Sequence, residues 1–299
     1  MTGYSNRRCA FSHISDGLTD IETTNLYTSV QLFQQDLSRQ VGVPIVSDSD
    51  AQSFLNAAVI TDTTQANAIN TLVVGLKNAS LWTKMKAIYP FVGGTATTHK
   101  WNLKDPRDLD AAYRLAFSGA WTHSSTGALP NGANAYADSF LIPSSALTLN
   151  NTVFGYYSRT NSSQSPSATE MAVGTSGTQL MYLRTKNSSG NAEGYSYNTN
   201  PATVSNANSQ GFYIVSRTSN SDLKLYKNNS NIASLLTTQT GTLPSNKFAI
   251  GAVNYGGTIG EYSNKECALA FIGDGINSTE ATTLNTLVTN FETTLNRNV

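Results

Sequence analysis

Three sets of residues in this 299-residue chain are of types that could do chemistry: scattered carboxylates, three histidines and fourteen tyrosines. Glycoside hydrolysis uses two carboxylates, about 5 Å apart in retaining enzymes, and a strand supplies such a pair from positions two or four apart that share a face. No Glu-x-Asp-x-Glu run or similar occurs, and Glu193, Glu261 and Glu266 stand singly. They read as surface carboxylates. His13, His99 and His123 are far apart, and Cys9 and Cys267 complete no recognised zinc spacing with them. The glycines between 251 and 257 lack the Lys and Ser/Thr of a phosphate loop, and no Gly-x-Ser-x-Gly elbow occurs. The expectation is a protein that is not an enzyme, with no metal and no cofactor.

The tyrosines carry more. Tyr156, Tyr157, Tyr195, Tyr197 and Tyr255 lie in or beside runs that read as strands, and an aromatic face stacked on a sugar ring is one way a sandwich binds carbohydrate. These five are the candidate glycan-binding residues, set against the simpler reading that alternate strand positions fill the core. Lys84, Lys86, Lys100, Lys104 and Arg107 interleave with Trp82 and Trp101 as a nucleic-acid surface would. Asp105, Asp108 and Asp110 nearly cancel them, which favours a mixed-charge face and no nucleic-acid partner. Over the whole chain 19 basic residues balance 19 acidic ones and only 13% of residues are charged, so no long-range field draws the protein to a polyanion. No apolar run of about 20 residues occurs, and none follows Arg7 and Arg8 as a signal peptide would require. Neither membrane insertion nor Sec export is expected.

The elements that would position these residues are partly repeated. Sliding the sequence against itself by 258 positions lays Cys9 to Val41 over Cys267 to Val299 without a gap, with 14 of 33 positions identical. Both copies read as a strand, an Asp-Gly turn and a helix. Thr19 with Glu22, and Asn277 with Glu280, open the helices as capping boxes. Leu26, Val30, Phe33 and Leu37 repeat as Leu284, Val288, Phe291 and Leu295, one stripe of a helix. The first copy has no upstream strands of its own. Cys9, Phe11 and Ile14 together with Leu26, Val30, Phe33 and Leu37 are therefore the candidate assembly residues: the unit packs within its own chain, docks on a neighbouring subunit by strand addition, or ends a preceding module of a longer tandem protein. Cys9 and Cys267 fall at equivalent places in apolar runs and read as small buried hydrophobes, with a bridge between them left open.

Between the copies, residues 42–112 read as a helical region. Phe54, Leu55 and Ala58 mark one helix; Ala66, Ile69, Leu72, Val73 and Leu76 a second; Leu81, Trp82, Met85 and Ile88 a third that Pro90 ends. Residues 113–299 read as a β-sandwich with a C-terminal helix. Its expected strands are Ser139 to Ile142, Thr152 to Arg159, Glu170 to Gly174, Gln179 to Thr185, Glu193 to Asn198, Gly211 to Arg217, Leu223 to Lys227, Asn231 to Leu236, Lys247 to Ala252 and Cys267 to Ile272.

The succession GFYIVSRTSNSDLKLYKNNSNIASL, FAIGAVNYGG and ECALAFIGDGINSTEATTLNTLV resembles the second half of a concanavalin A-like, laminin-G-like sandwich. In that family a Tyr-x-Asn-Gly hairpin, an Ile-Gly strand and a closing strand precede a short capped helix. Here Tyr226 to Asn229 carries Asn in place of the Gly, Ile250-Gly251 supplies the second feature and Asn277 to Glu280 the cap. The preceding block, KAIYPFVGGTATTHKWNLKDPRDLDAAYRL, resembles modules of bacteriophage virion structural proteins that lead into such a sandwich. The resemblance implies a mainly β fold, an antiparallel jelly roll preceded by a small helical region and the N-terminal strand-helix unit (residues 1–41). It also implies a fibre, spike or capsid-decorating subunit exposed on a virion, partnered by other virion proteins and by its own copies as a homo-oligomer, with cell-surface carbohydrate as a candidate ligand. The alternatives are a secreted lectin or glycan-degrading enzyme of the same class, and a scaffold without ligand.

Overall fold

The computed structural model describes residues 7–37, 39, 41–164 and 166–299. Helices α1 (Asp20–Asp36), α2 (Ser49–Ala58) and α3 (Thr63–Asn78) precede strand β1 (Met85–Tyr89) and the short helix α4 (Ala96–His99). Next come β2 (Ala116–Ser118), β3 (Trp121–Ser124), β4 (Gly127–Pro130), β5 (Tyr136–Asp138), the short helix α5 (Pro143–Ala146) and β6 (Thr152–Ser158). The middle of the chain forms β7 (Met171–Ser176), β8 (Gln179–Arg184), β9 (Asn191–Ser196), β10 (Ala202–Ser205), β11 (Gly211–Ser219), β12 (Asp222–Lys227) and β13 (Ser230–Leu235). Then β14 (Ala249–Ile250), β15 (Val253–Tyr255), β16 (Thr258–Gly260) and β17 (Cys267–Gly273) lead to α6 (Ser278–Thr294).

Among the described residues the strands form two sheets. The first has the order β13-β12-β11-β6-β17-β4-β3 with β1 also on β17; the second has β10-β9-β8-β7-β14-β5-β2, with β15 and β16 joined beside β7. Pairing is antiparallel except that β15 runs parallel to β7. The protein is thus a mainly β sandwich with a helical layer on one side. Alternation along β17 explains the layering: Leu269 and Phe271 join the core under α2, α3 and α6, whereas Ala270 and Ile272 join the core between the sheets. Because both faces of the first sheet are covered, β6 and β17 are buried along their whole length. The second sheet packs one face on the first; on its other face Ala172, Tyr182 and Tyr195 form a small buried cluster with Leu180 and Val253, and that face carries the site described below.

Five expectations are corrected. The third helix is a turn of 3-10 helix followed by β1, which pairs with β17. A register shift between Met85 and Ala87 puts Met85 and Ile88 into the same core, so a β-bulge mimics the three-residue spacing of a helix. β1 also lies in the region read as helical before residue 113, yet it belongs to the first sheet. The strand expected at Ser139 to Ile142 ends at Asp138; Phe140 takes a left-handed φ of 57° and Pro143 starts α5. Cys9 to Ile14 forms no strand, and Cys9 is exposed rather than buried. Both cysteines are free.

Helices α1 and α6 nevertheless match residue for residue at the 258 offset, with capping boxes on both and the same closing bond, Arg39 N–H to Gln34 O and Arg297 N–H to Glu292 O, each 2.8 Å. α6 buries Leu284, Val288 and Phe291. On α1 the equivalent Phe33 is 48% exposed, Leu37 is exposed too, and Leu26 and Val30 are half-buried. Phe11 and Ile14 of the same unit are exposed. Among the described residues no helix is long and apolar enough to cross a membrane.

Candidate functional site

The site stands on the open face of the second sheet. On β8, Met181 and Leu183 point into the core between the sheets, which leaves Leu180, Tyr182 and Arg184 on the outer face. Tyr182 is paired directly with Tyr195 of β9, and their rings stack 5.0 Å apart at 5°. The Arg184 guanidinium lies 4.6 Å from the Tyr182 ring centroid, a cation–π contact that fixes its direction. Leu180, Tyr182, Arg184, Val253, Tyr255 and Glu261 line a cleft of about 260 Å³.

One wall is Tyr255, the last residue of β15, which is 43% exposed. A Cβ on Gly174 would come within 2.5 Å of the Tyr255 ring, so glycine there lets the ring lie against the sheet. The Tyr255 hydroxyl accepts the Gly177 N–H at 2.9 Å, which pins the far end of the ring. The opposite wall is charged. Arg184 donates from Nε to Thr169 Oγ1 (3.2 Å), from Nη1 to Glu193 Oε2 (3.1 Å) and from Nη2 to Glu261 Oε2 (2.7 Å). Thr169 Oγ1 donates to the same Glu261 oxygen at 2.5 Å. Burial, the largest single influence, works against the charge on Arg184, but the hydrogen bonds to Glu261 and Glu193 and the Glu261 charge together outweigh it and raise the pKa. Tyr182 is pushed above the usual phenol range by burial and then by the Glu193 carboxylate. The cleft therefore combines an aromatic face, an aliphatic floor and a polar wall, which can hold a ligand with one apolar face and hydroxyls at its edge.

The sequence-predicted tyrosines divide by face. Tyr255 lines the cleft, whereas Tyr195 lies on the same face behind it, stacked on Tyr182 and itself buried. Tyr156, Tyr157 and Tyr197 are buried and are removed from the candidate set. Tyr156 donates to Lys265 O at 2.6 Å in the core between the sheets, and Tyr157 sits under the helices, donating to Asn298 Oδ1 at 2.8 Å. Tyr197 turns inward at φ 38°, and its hydroxyl accepts the Asn150 N–H. Sequence reasoning missed Tyr182 and Arg184, which strand alternation from Leu180 points to once Met181 and Leu183 are assigned to the core.

Two other groups stand differently from the sequence reading. His99 and His123, far apart in sequence, meet at 2.9 Å between their Nδ1 atoms. The described residues hold no group of three or more metal-ligating side chains. Of the interleaved cations, Lys84 pairs with Glu280, Lys86 with Asp274, Lys100 with Asp108 and Arg107 with Asp105.

No protein-family model matches the chain, and no curated protein matches it. Solved structures with some likeness include a mutant sialidase of Trypanosoma rangeli (12% identity, TM-score 0.49, covering 76% of this chain and 39% of that one). Domain 4 of the extracellular GH43 arabinanase AbnA of Geobacillus stearothermophilus, in complex with arabinotriose, gives 14% identity and a TM-score of 0.42 over 68% of this chain and 98% of that one. The binding domain of botulinum neurotoxin serotype D gives 10% and 0.45 over 70% and 52%. At these scores the likeness carries no weight for function, which rests on the cleft's own residues.

Proposed function

We propose that the protein is a non-enzymatic carbohydrate-binding sandwich of the concanavalin A-like, laminin-G-like class, and that the cleft on the second sheet is its binding site. The observation that carries this reading is Tyr255: an exposed ring, held by Gly174 and Gly177, facing a polar wall of Arg184 and Glu261 across an aliphatic floor. Sugars present the matching pair of surfaces, a C–H face for the ring and hydroxyls for the wall. The non-enzymatic reading is supported by the engagement of both nearby carboxylates, Glu193 and Glu261, as acceptors of one guanidinium; a general acid needs a proton to give. A glycan array followed by calorimetry tests the proposal. Tyr255→Ala weakens binding at least ~10-fold, about 1.4 kcal/mol, with an unchanged melting temperature; equal affinity would remove the cleft as the site.

The placement in a virion rests on the sequence resemblance, and mass spectrometry of purified particles tests it. The homo-oligomer is supported by the repeat. The stripe Leu26, Val30, Phe33 and Leu37 copies one that α6 buries, and a second copy of this chain is the occupant proposed for it.

A further inference from the structure

Resting on the carbohydrate-binding reading, we infer that the cleft takes neutral saccharides and turns away those carrying carboxylate or sulfate groups. Arg184 and Glu261 line the cleft, and Arg184 is paired with Glu193 at 3.1 Å as well as with Glu261 at 2.7 Å, which amounts to two negative charges against one positive. Arg184 is the only cation of the cleft lining, and it is already committed. Three of its five N–H groups serve Thr169, Glu193 and Glu261. An anion bonded to the two remaining N–H groups would lie beside Glu261, the carboxylate of the lining, and would meet an Arg184 charge already offset by Glu193 and Glu261 in a partly desolvated site.

A neutral sugar meets no such conflict. Both bonds made by the Glu261 carboxylate fall on Oε2, which leaves Oε1 to accept a ligand hydroxyl. The Glu261 side chain is 40% exposed, so a ligand hydroxyl reaches it by taking the place of water. A hydroxyl donates where a carboxylate or sulfate cannot. The wall thus selects donors, and Tyr255 selects a sugar face.

The experiment compares matched pairs on an array and by calorimetry, such as lactose with 3′-sialyllactose and neutral galactan with its carboxylated or sulfated counterpart, at two salt concentrations. The expected result is binding of the neutral member that depends on Tyr255, with the acidic member weaker by ~10-fold or more. That gap should narrow in Glu261→Gln, which keeps Oε1 but removes the charge, and at high salt, which screens it. Acidic members bound as tightly as neutral ones, in a way that still depends on Tyr255, overturn the selectivity and leave the carbohydrate site standing. No Tyr255-dependent binding of any glycan overturns the site, and the selectivity with it.

Discussion

His99 shows how one side chain sets a pH dependence. Its Nε2 accepts the Gly94 N–H at 3.2 Å, so in the neutral ring the proton sits on Nδ1 and is donated to His123 Nδ1. Protonating either ring would set a second donor against a first. Burial, then the His123 charge and then Arg297, hold the His99 pKa down at about 3, and burial lowers that of His123. In the unfolded chain both return to about 6.5. The folded pKa is the depressed one, so this contribution to stability is fully present above pH 6.5 and is lost as pH falls from there toward 3. Thermal melts between pH 7 and 4 should show a falling melting temperature. His99→Gln, which pairs without titrating, should flatten the slope; an identical slope would show that the histidines do not set it.

At the scale of the element, α1 and α6 are a natural comparison, since one sequence pattern stands in two environments. Phe291 is 3% exposed beneath α3 and the first sheet, whereas Phe33 is 48% exposed. Phe291→Ala should cost about 3–5 kcal/mol in urea unfolding, and Phe33→Ala should stay within about 0.5 kcal/mol in the monomer. Deleting residues 1–41 should lower the particle mass in light scattering if a second copy covers the stripe, and an unchanged mass removes that docking. The helices were legible because their signals are local: the boxes at Thr19 and Asn277 and the apolar stripes lie within a few turns. The strands were not equally so. β17 is a strand because β1, β4 and β6 pair with it, and the first copy, with the same start at Cys9, has no such partners among the described residues and forms none there. β1 was hidden for a related reason, because its bulge is set by its partner and not by its own residues.

Over the whole molecule, the cleft depends on a join between the two sheets. Glu170 leads into β7 of the second sheet and Lys265 into β17 of the first; their side chains pair at 2.8 Å with no exposure at all. Glu170 also accepts Ser263 Oγ–H at 3.1 Å and the Thr185 N–H at 2.5 Å. Thr169 and Arg184, the chain neighbours of Glu170 and Thr185, are the residues that hold Glu261 at the cleft wall. Sequence could nominate Tyr195 and Tyr255 from strand-like surroundings, but not which faces were covered, since that follows from the helices packing on the first sheet and a small side-chain cluster on the second. It gave no hint of the Glu170 pair, because the partners lie 95 residues apart. Lys265→Met leaves a buried carboxylate without its counter-charge and should cost about 3–5 kcal/mol. Glu170→Gln combined with Lys265→Met removes both charges and should recover much of that loss, by a double-mutant cycle on urea unfolding. Single and double variants equal in stability would mean that the charges are not coupled, and that packing alone holds the two sheets in the alignment the cleft needs.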